Sequence, residues 1–242
     1  FFFITAILYS SVGFGGGSTY LALLLIWNVP YYIFPVIALL CNIIVVSGNS
    51  FNYVKAGHHN FKLLIPFLIG SIPLAFLGGT LIIDKEIFEI LLFLVLTVAG
   101  LLLLIKNKSY EEKVVKINIP HLFISLLIGS TLGLISGIVG IGGGIFLSPI
   151  LFLLKADKPK NIITTASLFI LINSISGLMG QLTKENILNE ILLYYPLFIS
   201  VFIGGLLGNF LNLKIFTNRL LALTTSLLVI FVAIRMGLKI FI

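Results

Sequence analysis

The sequence predicts an all-α integral membrane protein made of two homologous halves, each with four apolar segments. Three observations carry that prediction. The 242 residues are 59% hydrophobic and 10% charged, with a mean hydropathy of +1.21, whereas a water-soluble domain carries about 25% charged residues. The apolar stretches recur at roughly the 20-residue length that spans a bilayer. A glycine cluster at Gly13, Gly15, Gly16 and Gly17 returns at Gly140, Gly142, Gly143 and Gly144, an offset of 127.

Taken in order, the apolar segments are 1–28, 33–54, 63–83, 87–105, 119–154, 162–182, 191–213 and 218–242. Short connections separate them: "NVPYY", "KAGHHNFK", "DKE", "KNKSYEEKVVK", "KADKPK", "TKENILNE" and "LKIFTNR". The most polar connection, 107–117, divides a first repeat (1–106) from a second (118–242). In each repeat the glycine cluster is followed by an apolar run, a proline-containing turn and a helix dotted with polar residues. Asn60 of "GHHNF" matches Asn186 of "TKENI" at offset 126, and a four-residue insertion then aligns "FLGG" with "LLGN". The chain begins at Phe1 rather than at Met, so residues are expected to precede it.

The fifth segment is too long for one span. Residues 119–154 would make a helix of roughly 54 Å, against a hydrocarbon core about 30 Å thick. Glycine weakens a helix interior by about 1 kcal/mol relative to alanine. Two solutions fit, a broken helix that crosses once or a re-entrant hairpin. Loop charge separates them, because cytoplasmic loops are rich in Lys and Arg. Eight single crossings split the basic residues 9 to 6. Two re-entrant hairpins and six crossings leave Lys85, Lys184, Arg235 and Lys239 on one side and the other eleven opposite. The second arrangement makes the halves inverted repeats, a common transporter plan.

Several function classes are excluded. The single cysteine, Cys41, rules out an intrachain disulfide and a cysteine-based metal site. The formal charge of +7 is scattered through short loops, which fits a topology signal better than a nucleic-acid partner. A phosphate-binding loop needs a lysine that neither glycine cluster has, and Ser18 and Ile145 occupy the last glycine position of a dinucleotide fingerprint. No cofactor is called for. A signal peptide would be one apolar run ahead of a soluble chain, but here the runs continue to the last residue. An intramembrane enzyme would need a nucleophile–base set or metal ligands within the spans. All eight Asp and Glu lie in or beside loops, which argues against a carboxylate proton relay or a carboxylate-based cation site. His58 and His59 fall in a loop, where solvation is their expected role.

What remains inside the membrane is neutral. A broken helix exposes N–H groups at the start of its second arm, and those groups with the helix dipole favour an anion. Glycine lets a ligand approach the backbone without meeting a Cβ. Ser18 and Thr19 follow the first cluster and could add hydroxyl donors; the second cluster has Ile145 and Phe146 instead. Asn42 and Asn49 in the second segment, and Ser167 and Asn173 in its partner, are candidates for lining a pathway, since polar groups within a membrane are functional suspects. A purely structural break is the alternative for the clusters. Gly129, Gly133 and Gly137, four residues apart, read as helix-packing positions.

The stretches "SVGFGGGSTYLALLL" with "VSGNSFNYVKAGHHNFKLLIP", and "SGIVGIGGGIFLSPILFLL" with "ASLFILINSISGLMGQLTKENI", resemble the sulfite exporter TauE/SafE family over essentially the whole chain. The resemblance implies a permease of the cytoplasmic membrane for sulfite, organosulfonates or related small anions. Carried over by position, it implies hinge residues at Gly13, Gly15, Gly16, Gly17, Gly140, Gly142, Gly143 and Gly144, with Ser167 in the polar helix and Cys41 in its place in the first half. The expected partners are the small anion and the lipid bilayer, with further copies of the chain left open. A non-transporting accessory or scaffold subunit is the alternative class of function.

Overall fold

The first long apolar stretch is two helices joined at its glycines. The computed structural model describes residues 1–27, 29–105, 117–184 and 187–211, with Leu227, Ile230, Phe231, Ala233, Ile234, Gly237 and Leu238. Helix α1 (Phe2–Val12) stops at Gly13, and α2 (Gly17–Ile26) starts after Gly16. The second cluster does the same between α6 (Leu122–Val139) and α7 (Gly144–Leu153). The remaining helices are α3 (Phe34–Lys55), α4 (Phe61–Thr80), α5 (Lys85–Ile105), α8 (Pro159–Gln181), the five-residue α9 (Ile187–Ile191) and α10 (Tyr195–Leu211). Most of the last expected segment, 218–242, lies outside the described residues, as do Asn186 and Arg235.

Five helical stretches among the described residues are long and apolar enough to cross a membrane: Tyr31–Lys55, Phe61–Thr80, Leu122–Val139, Lys160–Gln181 and Leu192–Phe210. Helices α1, α2 and α7, at 11, 10 and 10 residues, fall short of the about 20 needed.

Each broken segment folds back on itself. The rings of Phe1 and Phe2, at the start of α1, lie 5.6 and 6.4 Å from Trp27, at the end of α2. Ahead of α6, the Asn118 N–H donates to the Lys155 carbonyl just beyond α7 (3.1 Å). The two hairpins open toward opposite ends of the molecule. Trp27 leads into Tyr31 and Tyr32; Tyr31 meets Phe88 of α5 (5.8 Å), and the Tyr32 hydroxyl donates to Glu190 of α9 (2.6 Å). At the other end, the Asn60 amide donates to Asp157 (2.6 Å) while its oxygen caps α4 through Leu63 N–H.

Charge follows the same division. Among the described residues, the end with Asn60 and Asp157 carries Lys55, Lys62, Lys155, Lys158 and Lys160 against that one carboxylate. The end with Tyr32 and Glu190 carries Lys85 and Lys184 against Asp84, Glu86, Glu89 and Glu190.

Packing exchanges elements between halves. α6 lies along α4, and α10 along α1, while α3 and α8 cross the centre together. The α4–α6 seam is built on glycine. A Cβ at Gly129, Gly133 or Gly137 would strike the carbonyls of Phe67, Ser71 and Ala75, one per turn. On α10, Gly204 and Gly208 meet the carbonyls of Phe3 and Ile7. Four-residue spacing of small residues brings membrane helices into backbone contact, as expected for α6. Ser176 adds a hydroxyl bond to Ile72 O (2.7 Å) and Gln181 an amide bond to Gly137 O (2.7 Å), tying α8 to the same seam.

Candidate functional site at the two helix breaks

The breaks use backbone that only glycine adopts without strain. Gly13 (φ 85°, ψ 21°) ends α1 in the left-handed region, and Phe14 N–H closes back on Tyr9 O (3.1 Å), a Schellman-type ending. Gly16 (φ 82°, ψ 10°) opens α2, its carbonyl accepting from the Thr19 and Tyr20 N–H groups at 3.0 Å. The second break repeats this with Gly140 (φ 88°), Gly142 (φ 81°) and Gly143 (φ 73°), whose carbonyl accepts from Phe146 and Leu147. Left-handed backbone costs an ordinary L-residue about 1–2 kcal/mol.

The two tips meet at the centre of the molecule, with Asn42 of α3 between them. A Cβ at Gly15 would stand 2.5 Å from Asn42 Oδ1; one at Gly17 would stand 2.8 Å from its Nδ2 and 2.7 Å from the Ile141 carbonyl of the opposite tip. A Cβ at Gly142 would stand 2.9 Å from the same Nδ2, which donates to Gly140 O at 3.4 Å. One amide side chain thus touches both breaks. On α8, Ile170 holds the matching place, against Gly15, Gly142 and Gly144. The centre is therefore lined by the Asn42 amide on the α3 side and by Ile170 on the α8 side.

The other candidates are distributed around this contact. Ser18 lines a cavity of about 10 Å³ with Tyr9, Phe14, Gly15, Gly16, Gly17, Ile141, Ile145 and Ile170. That is room for about one water, so the centre is closed in this conformation. Thr19 is engaged by the Tyr9 hydroxyl (2.7 Å). Gly13 packs against Tyr53 and Ile163, and Gly143 against Phe169. Ser167 pairs with Ser50 across the α3–α8 interface (3.0 Å), and Asn49 Oδ1 accepts from the Ser10 hydroxyl at 3.5 Å. Asn173 donates to Phe169 O on its own helix (2.9 Å).

Several buried polar atoms have no protein partner: Ser18 Oγ, Asn42 Oδ1, Asn49 Nδ2, Asn173 Oδ1 and Ser174 Oγ among them. Ser174 Oγ lies 3.2 Å from the Cβ position of Gly142. An unpaired buried polar group costs about 1–3 kcal/mol. None of the buried side chains among the described residues is Lys, Arg, Asp or Glu. The nearest approach to a buried cation is Lys184, beyond the end of α8, whose ammonium donates to Gln181 Oε1 (2.8 Å) and whose pKa burial lowers.

Sequence reasoning did not single out Tyr9, Ile170 or Ser174 as site residues. Ser174 carried a signal, since it was one of several polar residues in an apolar helix; Tyr9 and Ile170 carried none.

Comparison with known proteins finds relatives along nearly the whole chain. The chain is 26% identical over 230 residues to a probable membrane transporter protein, y4hK, of Sinorhizobium fredii, covering 94% of this chain and 92% of that one. It is 22% identical to the probable membrane transporter protein YunE of Bacillus subtilis, covering 91% and 89%. Against the probable membrane transporter protein MJ0441 of Methanocaldococcus jannaschii, identity is 29% over 192 residues, covering 76% and 70%. No solved structure matches the chain at a significant level. Residues 1–236 match the family description "Sulfite exporter TauE/SafE". With its apolar helices, this makes the chain a multi-pass membrane protein and a transporter rather than an enzyme. The protein belongs to the TauE/SafE sulfite exporter family.

Proposed function

We propose that the protein is a permease for a small anion, sulfite or an organosulfonate, held midway through the molecule at the two glycine breaks. The observation that carries this reading is the meeting of the two glycine tips on the buried Asn42 amide, which lies against Gly15 and Gly17 at the start of α2 and against Gly142, two residues ahead of α7. Helix N-termini favour anions through unpaired N–H groups and the helix dipole. In this reading Gly15, Gly17, Gly142, Gly144, Ser18 and Asn42 hold the anion, and Gly13, Gly16, Gly140 and Gly143 are the hinges. Thr19, Asn49, Ser167 and Asn173 support the helices that carry them. The family description and the names of the relatives support transport.

Helices α3, α4, α5, α8 and α10 cross the membrane, and the hairpins α1–α2 and α6–α7 enter from opposite faces as inverted repeats. The fold-back contacts at Phe1–Trp27 and Asn118–Lys155 support this. The lysine-rich end then faces the cytoplasm. Access alternates as one repeat rocks against the other, opening the cavity of about 10 Å³ to one side at a time.

Purified protein in liposomes is expected to pass sulfite or ethanesulfonate down its gradient well above protein-free liposomes. Background rates for both would sink the reading. For topology, Lys158→Cys should react with a membrane-impermeant maleimide only after permeabilisation, and Lys85→Cys in intact cells. The buried Cys41 leaves little competing thiol. Labelling of Lys158→Cys from outside intact cells would overturn the re-entrant arrangement.

A further inference from the structure

The central site contains one feature that a bare oxyanion does not complement. The hydroxyls of Ser18 and Ser174 can donate or accept, and the helix N–H groups only donate. Asn42 Oδ1 can only accept. It is fully buried, unpaired, and directed at the first break, 2.5 Å from the Cβ position of Gly15. Its orientation is set by the neighbouring Nδ2, which donates to Gly140 O. Facing a fully deprotonated oxyanion, Asn42 Oδ1 would meet only another acceptor, and its desolvation would stay uncompensated.

Charge narrows the ligand further. No buried lysine or arginine is present among the described residues to offset a dianion. Two helix N-termini at about half a positive charge each supply roughly one unit. That matches a monoanion.

Resting on the anion-transport reading above, we infer that the site takes a singly charged oxyanion carrying its own hydrogen-bond donor, and that Asn42 Oδ1 receives that donor. The donor is an O–H of the substrate, as on hydrogen sulfite or a hydroxysulfonate. The anionic oxygens then face the helix N-termini and the Ser18 hydroxyl. The proton stays on the substrate throughout, so no protein group titrates in the step.

The test compares two sulfonates of equal charge, ethanesulfonate and 2-hydroxyethanesulfonate, in proteoliposomes of the full chain. The hydroxylated compound is expected to move at least about tenfold faster, since sites built to bond a substrate hydroxyl discriminate strongly against its absence. In Asn42→Leu, close in volume but without the acceptor, the ratio should fall toward one. Equal wild-type rates would overturn this inference and leave anion transport standing. If neither sulfonate nor sulfite passes, both readings fail. An unchanged ratio in Asn42→Leu would remove the assignment to Asn42. The wild-type comparison does not depend on that variant folding.

Discussion

Gly16→Leu and Gly143→Leu are expected to abolish anion flux while leaving protein in the membrane. Both glycines sit at the start of a second arm with positive φ, 82° and 73°. A leucine there costs about 1–2 kcal/mol in backbone strain. It would also collide, because the Cβ at position 16 meets Tyr9 at 3.0 Å and that at 143 meets Phe169 at 2.9 Å. Overpacking adds about 1–3 kcal/mol. Relief requires the tip to turn, which moves the N–H groups of α2 or α7 off the central contact. Gly57→Leu is the control. Gly57 also has positive φ (75°), but its Cβ would meet nothing within 4 Å and it lies in the α3–α4 loop. That variant bears the strain without disturbing the tips and should keep most of its flux. Radiotracer uptake into proteoliposomes at matched protein content checks all three. Normal flux in Gly16→Leu and Gly143→Leu would sink the hinge assignment.

Gly137→Leu should have the largest effect on the fold. Its Cβ would strike the Ala75 carbonyl and stand 2.7 Å from Gly79 N, both on α4. Backbone cannot rotate away as a side chain can, so α4 and α6 must separate. Separation also draws Gly137 O from the buried Gln181 amide, leaving a donor unpaired at about 1–3 kcal/mol. The expected outcome is loss of the monodisperse peak on size exclusion in detergent. Gly137→Ala should give a lower but measurable melting temperature. A wild-type melting temperature for Gly137→Leu would mean the seam does not hold the halves together.

The helix breaks were legible because glycine is the residue that positive φ requires, and the sequence repeats the cluster at a fixed offset. The close seam on α6 was legible from the spacing of Gly129, Gly133 and Gly137. The same rule applied to Ser200, Gly204 and Gly208 would have found the face of α10 that meets α1. Which helix lies opposite such a face is not written in the spacing, because backbone contact selects for small size and not for a partner. Asn42 was visible as a buried amide in an apolar run. Its contact with both tips depends on the level at which the tips meet α3, and Asn49, two turns on along the same face, meets Ser10 instead. Thr19 looked like a free donor; its pairing with Tyr9 brings together residues on the two arms of one hairpin, which composition does not encode.

The exchange of helices between halves has a consequence for biogenesis. Phe3 and Ile7 are made long before Gly204 and Gly208, the glycines that cover their carbonyls. At about 5–20 residues per second, helix α1 waits roughly 10–40 s for its partner to leave the ribosome. The second half has no such delay, since α4 is already present when α6 emerges. The first hairpin thus stays without its partner helix for longer during synthesis than the second.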